Sequence, residues 1–126
     1  MNIEVGEYIR TKNGVIAQLE YIHDKDEVYW FDKVIYCRYG EEIDFLTTEE
    51  LPKYIVNHSK NIIDLIEVGD FVNGNKVHSV DFSTSIQTGE KYLVIDKIYQ
   101  SVKYFYEKDI KTIVTKLQFS NMEYRV

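Results

Sequence analysis

The stretch Ile3-Glu4-Val5-Gly6-Glu7-Tyr8-Ile9 is met again 63 residues later as Ile66-Glu67-Val68-Gly69-Asp70-Phe71-Val72. Every position is identical or conservatively exchanged, with Asp for Glu, Phe for Tyr and Val for Ile. Both copies run through a short polar turn, Thr11-Lys12-Asn13-Gly14 or Asn73-Gly74-Asn75, into a second apolar run, Val15-Ile16-Ala17 or Val77-His78-Ser79-Val80. Apolar runs joined by Asn/Gly turns outline β-hairpins. A doubled hairpin restricts the architecture to one built twice. The chain is expected to be mainly β: two related small SH3-like β-barrel units, spanning 1–57 and 58–126, or one composite barrel or sandwich, with short helical turns.

Along the chain, residues 3–9 read as a strand that bends at Gly6. Val15 to Ile22 alternates, but Ile16, Leu19 and Ile22 share a buried side only if a bulge adjusts the phase. Val28–Asp32 and Lys33–Tyr39 have the β-branched and aromatic composition of strands, with Cys37 half-buried on the second. Tyr39-Gly40-Glu41-Glu42 reads as a turn, Ile43–Leu46 as a short strand, and Tyr54–Asn57 as extended. Thr47-Thr48-Glu49-Glu50 carries a capping pattern, yet Pro52 follows too closely for more than a turn of helix. Ser59 reads as the cap of one helical turn over Asn61–Ile66. Further strands are expected near 66–73, 76–82, 90–99, 102–106 and 110–114, with Asp81–Glu90 as a loop. Thr115-Lys116-Leu117-Gln118 repeats the capping pattern ahead of a brief helix. A last strand is expected over Met122–Val126. No stretch supplies a long amphipathic helix, so a parallel sheet with helical crossovers is not expected, and many short strands with Gly turns favour barrels or sandwiches.

Charge and composition narrow the function. The formal net charge of −6 disfavours duplex-DNA binding, which draws on Lys/Arg neutralising phosphates. A single cysteine excludes an internal disulfide and a zinc site of several thiolates. No apolar run approaches the roughly 18–20 residues of a membrane span, and Met1-Asn2-Ile3-Glu4 lacks the basic flank of a secretion signal, so a cytoplasmic location is expected. His23, His58 and His78 lie far apart, and none has a second His or Cys at metal-ligand spacing. Asp64 and Asp70 could form an acid/base pair with His58. The better reading makes Asp70 a turn carboxylate accepting backbone N–H bonds and His58-Ser59 the start of the small cap. No cofactor, metal or catalytic residue is expected.

The stretches His58-Ser59-Lys60-Asn61-Ile62-Ile63-Asp64-Leu65-Ile66-Glu67-Val68-Gly69-Asp70-Phe71-Val72-Asn73-Gly74-Asn75-Lys76-Val77 and Ile110-Lys111-Thr112-Ile113-Val114-Thr115-Lys116-Leu117-Gln118-Phe119, with the opening Val5–Gly14, cover under half of the chain. In these segments the chain resembles a functionally uncharacterised family of small proteins from low-GC Gram-positive bacteria, their phages, prophages and other mobile elements. Leu117 stands where such proteins often show Glu. The resemblance carries over no catalytic or binding residue. It implies a mobile-element setting, in which small acidic β-proteins block host defence.

An acidic run of Glu41, Glu42, Asp44, Glu49 and Glu50 contains no Lys or Arg, and Asp24, Asp26 and Glu27 precede the aromatic group with Tyr29 and Trp30. As a solvated face these carboxylates need no further account. As a surface, residues 24–50 would meet a basic groove and compete with nucleic acid, with an aromatic anchor at the centre. With the resemblance, this supports the expectation of a non-enzymatic, anti-CRISPR-like inhibitor of a host defence protein, with no membrane contact and no direct duplex-DNA binding. The alternative is a small-ligand binder that sequesters a nucleotide signal with Tyr104, Tyr106 and the C-terminal lysines around a pocket between units or subunits.

Overall fold

The structure, a computed structural model, describes residues 1–25, 27–96 and 102–122, and for 120–122 the backbone alone. The chain separates into two compact units, Met1–Leu65 and Ile66–Val126. The division falls later than 57/58 because Tyr8 and Ile9 pair with Ser59 and His58, and Ile63 and Leu65 are buried, which binds 58–65 into the first unit.

The first unit contains β1 (Tyr8–Thr11), β2 (Ile16–His23), β3 (Val28–Phe31), β4 (Tyr36–Arg38), β5 (Glu41–Ile43), β6 (Phe45–Thr47), the single-turn helix α1 (Leu51–Tyr54) and β7 (Ile55–Ser59). A 3-10 turn over Ile62–Leu65 closes it. Five strands form one antiparallel sheet in the order β6-β3-β2-β1-β7, so the last strand lies beside the first. The pairing shifts between Leu19 and Tyr21, which is the bulge that the hydrophobic phase of β2 requires. Ile3, Ile9, Ala17, Leu19, Phe31, Ile35, Leu46, Leu51 and Ile55 make the core. β4 and β5 form a separate hairpin turned by Tyr39 and Gly40, both at positive φ. Cys37 lies on β4 opposite Glu42 and is exposed rather than half-buried, because this hairpin stands outside the five-stranded sheet.

The second unit contains β8 (Phe71–Val72), β9 (Asn75–Lys76), β10 (Asp81–Thr84), β11 (Lys91–Asp96), β12 (Lys103–Tyr106), β13 (Ile113–Val114) and α2 (Lys116–Met122). Two three-stranded antiparallel sheets result, β13-β8-β9 and β10-β11-β12. The expected loop over 81–90 shrinks to 85–90. Asp81–Thr84 pairs with β11 as an edge strand with every side chain exposed, so its polarity reflects solvent on its side chains and not a lack of pairing. The Thr115–Gln118 capping box forms in full: Thr115 N–H donates to the Gln118 side chain (3.1 Å), and Gln118 N–H to the Thr115 hydroxyl (3.3 Å). The terminal strand expected over 122–126 falls outside the described residues after Met122, which ends α2. Among the described residues, strand pairing closes no barrel, and several small open sheets stand in its place.

The repeated heptapeptide adopts one conformation twice. Gly6 and Gly69 have φ of 95° and 96°, where an L side chain is strained, so the turn ahead of each first strand selects glycine. Residues 4–7 therefore form a turn and the first strand begins only at Tyr8. Ile3 and Ile66 are buried, Val5 and Val68 are exposed to 55% and 54%, and Ile9 and Val72 are fully buried. Gly6 N–H donates to Leu19 O (2.8 Å) as Gly69 N–H does to Val77 O (2.9 Å). The first strand then sits between the second and the last in both units, β2-β1-β7 and β9-β8-β13.

Candidate functional site

Each repeat is pinned by a carboxylate. Glu7 accepts the Glu4 N–H (2.5 Å) on one oxygen and lies 2.9 Å from His58 Nδ1 on the other. Asp70 accepts the Glu67 N–H (2.8 Å) and, through its other oxygen, the Lys116 N–H (2.9 Å). Burial opposes ionisation of Glu7, but the Glu4 N–H, His58 and Lys60 outweigh it and hold the carboxyl below the usual range. Ser59 accepts the Asn61 N–H (3.1 Å) and donates to Asp64 (2.6 Å). His58, Asp64 and Asp70 thus bond to different partners, and these bonds organise turns. Glu7, the partner of His58, is the residue that sequence reasoning missed. Its signal was present in the repeat, where it occupies the position of Asp70.

Outward-facing residues of the first unit present a different arrangement. Tyr21 pairs with Trp30, and Trp30 with Phe45, which lays three aromatic side chains in register across β2, β3 and β6. The Trp30 and Phe45 rings lie 4.7 Å apart, with Trp30 38% and Tyr21 54% exposed. Tyr29, the neighbour of Trp30 on β3, packs against the core, as strand alternation requires. No known family model, curated protein or solved structure matches the chain.

The expected acidic surface is divided among elements. Asp24 and Glu27 lie in the β2–β3 turn, and Glu49 lies in the turn after β6. These turns meet where the Thr48 N–H and hydroxyl both reach Glu27 O at 3.2 Å, beside a cavity lined by Glu27, Thr47, Thr48 and Glu49. Asp26, between them in sequence, lies outside the described residues. Asp44 is half-buried next to Phe45, and its carbonyl accepts the Phe31 N–H at 2.8 Å. Glu41 and Glu42 are exposed on β5, opposite Arg38 and Cys37.

Glu50 points inward. Its Oε1 accepts the Thr47 N–H and hydroxyl at 3.0 Å each, and its Oε2 accepts the Tyr36 hydroxyl at 3.3 Å. The Thr47 N–H leads in holding this carboxyl below its usual range, while burial and then Glu50 push the Tyr36 phenol up. Glu50 therefore braces α1 and β6 and is not free to engage a partner. Met1–Leu65 carries 7 Lys/Arg against 13 Asp/Glu and Ile66–Val126 carries 8 against 8, so the entire net charge resides in the unit that displays Trp30.

No helix among the described residues is long and apolar enough to cross a membrane. No group of three or more His, Cys, Asp or Glu that could hold a metal ion lies among them.

Proposed function

We propose that this chain is a non-enzymatic binding protein of mobile-element origin that inhibits a host defence protein, in the manner of an anti-CRISPR, from the host cytoplasm. The observation that carries the reading is the Tyr21–Trp30–Phe45 row, with Tyr21 and Trp30 exposed and Phe45 half-buried beneath Trp30, standing on the unit that holds the whole net negative charge. Interfaces concentrate their energy in a few Trp, Tyr and Arg side chains, and acidic surroundings steer such an anchor toward a basic partner. A groove that binds nucleic acid supplies that partner chemistry, and its occupation by this face would block substrate entry.

In this reading each unit is an SH3-like variant. The strand order β7-β1-β2-β3-β6 of the first unit, with α1 ahead of the last strand, supports that assignment. Asp24, Glu27, Glu41, Glu42, Asp44 and Glu49 form the acidic surroundings, Trp30 is the anchor, and Tyr29 and Glu50 hold the surface from within.

The test is phage plating on Gram-positive hosts that each carry one defined defence system, RNA-guided nucleases among them, with the full chain expressed in trans. Plating is expected to recover against one system. Trp30→Ala, at roughly 2 kcal/mol or more for a central anchor, and the pair Glu41→Lys/Glu42→Lys are each expected to remove the effect while far-UV circular dichroism stays unchanged. Recovery in no host, or variants as active as the parent, would refute the reading.

A further inference from the structure

The second unit presents a cleft of about 690 Å³ that the inhibitor reading leaves unused. It lies on one face of the β10-β11-β12 sheet. Tyr92 pairs with Tyr106, and Val94 with Tyr104, so these four side chains share that face, while Leu93 and Phe105 share the other. Leu93 is fully buried, and on the cleft face Val94, 6% exposed, forms the floor. The cleft side remains open: Tyr104 is 55% exposed, and Ile86 and Val102, both exposed, line the same space. Ser83, Thr84, Ser85 and Gln87 complete the lining from β10 and the turn that follows it.

We infer that this cleft is a binding site for a nucleobase, carried on a nucleoside or a mononucleotide. Ring geometry is the first reason. Tyr104 and Tyr106 stand at 83° with centroids 6.2 Å apart, and Tyr92 lies 5.5 Å from one and 5.2 Å from the other at intermediate tilts. Two rings near a right angle form a corner. A planar ring stacked on one of them meets the other edge-to-face, so both contacts are of the kind aromatic quadrupoles favour. The size is also suitable, since ligand pockets run from about 300 to 1,000 Å³.

Polar chemistry is the second reason. Among the described lining residues none is charged, whereas hydroxyl, phenol and amide groups supply both donors and acceptors. That set matches the mixed edge of a neutral base and offers nothing to balance a buried ion. Among the described residues charge stands at the border, where Asp109 accepts the Tyr106 N–H (3.4 Å) and Lys108 Nζ lies 5.4 Å from the centroid of Tyr106; Lys108 is the cation that a phosphate attached to a bound nucleoside would meet. The second unit has no net charge to repel such a group, unlike the first. The site is independent of the Trp30 surface, so either can fail alone.

Adenosine, guanosine, cytidine and uridine, with their 5′-monophosphates, are the probes, tested on the full chain by thermal shift and isothermal titration calorimetry. At least one is expected to raise the melting temperature saturably, as any ligand that binds only the folded state must. Stacking of a base on an aromatic ring is lost in Tyr104→Ala, which is expected to weaken binding about 5- to 150-fold. Tyr104→Phe is expected to retain it, and Lys108→Ala is expected to weaken the monophosphate and leave the nucleoside unchanged. Ring-proton shifts of Tyr92, Tyr104 and Tyr106 in the unaltered protein give a readout that does not depend on any variant folding. Absence of saturable binding at millimolar probe, ring protons that do not move, or affinity unchanged in Tyr104→Ala would overturn the assignment. So would binding of oligosaccharides or proline-rich peptides to these tyrosines in place of nucleosides.

Discussion

Removing the Asp70 carboxylate tests whether the repeated motif is held as its geometry indicates. Asp70 is fully buried, and its two oxygens accept the Glu67 and Lys116 N–H groups at 2.8 and 2.9 Å. The second of these belongs to the first turn of α2, where backbone donors have no partner within the helix. A hydrogen bond to a charged acceptor contributes about 1.5–3 kcal/mol, so Asp70→Ala should lose roughly 3–5 kcal/mol. That is a large fraction of the about 5–15 kcal/mol that holds a typical protein folded. Asp70→Asn keeps one acceptor and turns an amide N–H toward a donor, and should lose about half as much or slightly more. Val68→Ala, two residues away and 54% exposed in the parent, is the control and should stay within about 0.5 kcal/mol. Urea unfolding followed by far-UV circular dichroism gives each value. A loss below about 1 kcal/mol for Asp70→Ala would show that water or neighbouring groups satisfy those two N–H donors equally well, and the clamp would then not be what fixes the turn.

Glu7→Gln should alter the pH profile of stability. Because the folded-state pKa of Glu7 is lowered, its contribution is present above the unfolded carboxyl value of about 4.3 and is lost as pH falls through the lower folded value. The stability gap between parent and variant should therefore close on acidification, and a gap that widens would contradict the assignment. Gly6→Ala and Gly69→Ala, at φ of 95° and 96°, should each lose about 1–2 kcal/mol by chemical unfolding. Asn73→Ala should lose about 1–3 kcal/mol, since the Asn73 side chain accepts the Lys111 and Thr112 N–H groups (2.7 and 3.0 Å) and donates to Asp109 O (2.8 Å). Hydrogen exchange at Lys111 and Thr112 should accelerate in that variant.

Local signals in the sequence were legible where a single residue type answers a backbone requirement. Gly69-Asp70 announced a turn with a capping carboxylate, Asn73-Gly74 a hairpin with both residues at positive φ, and Thr115–Gln118 a capping box. The bulge in β2 was legible because Leu19 and Ile22 could not otherwise share a side. What failed was any reading that used polarity as a proxy for pairing. Asp81-Phe82-Ser83-Thr84 reads as loop because its side chains meet water, yet its four residues pair in register with β11. Cys37 was misplaced for the converse reason: β-branched and aromatic neighbours suit a buried strand, and the β4–β5 hairpin leaves it outside the main sheet. Glu50 and Tyr29 were grouped with exposed neighbours by adjacency, although alternation and capping turn both inward. The Tyr21–Trp30–Phe45 row could not be read at all, because its members come from strands whose register only the fold supplies.

The two clamps also indicate how one scaffold can serve two surfaces. Glu7 is one methylene longer than Asp70, and it meets a side chain, His58 on β7, where Asp70 meets the backbone at the start of α2. In each unit the same turn is thereby tied, by a buried carboxylate, to an element near the end of that unit. Once turn, first strand and last element are fixed from within, the outward positions of the sheets are free to change with little cost to stability. The first unit has used that freedom for net negative charge and a row containing the only tryptophan; the second has used it for neutrality and a corner of tyrosines. Sparing the clamp while the open faces differ is what the two proposed surfaces require of the scaffold. An exchange of Trp30 or Tyr104 should thus change what is bound far more than whether the chain folds.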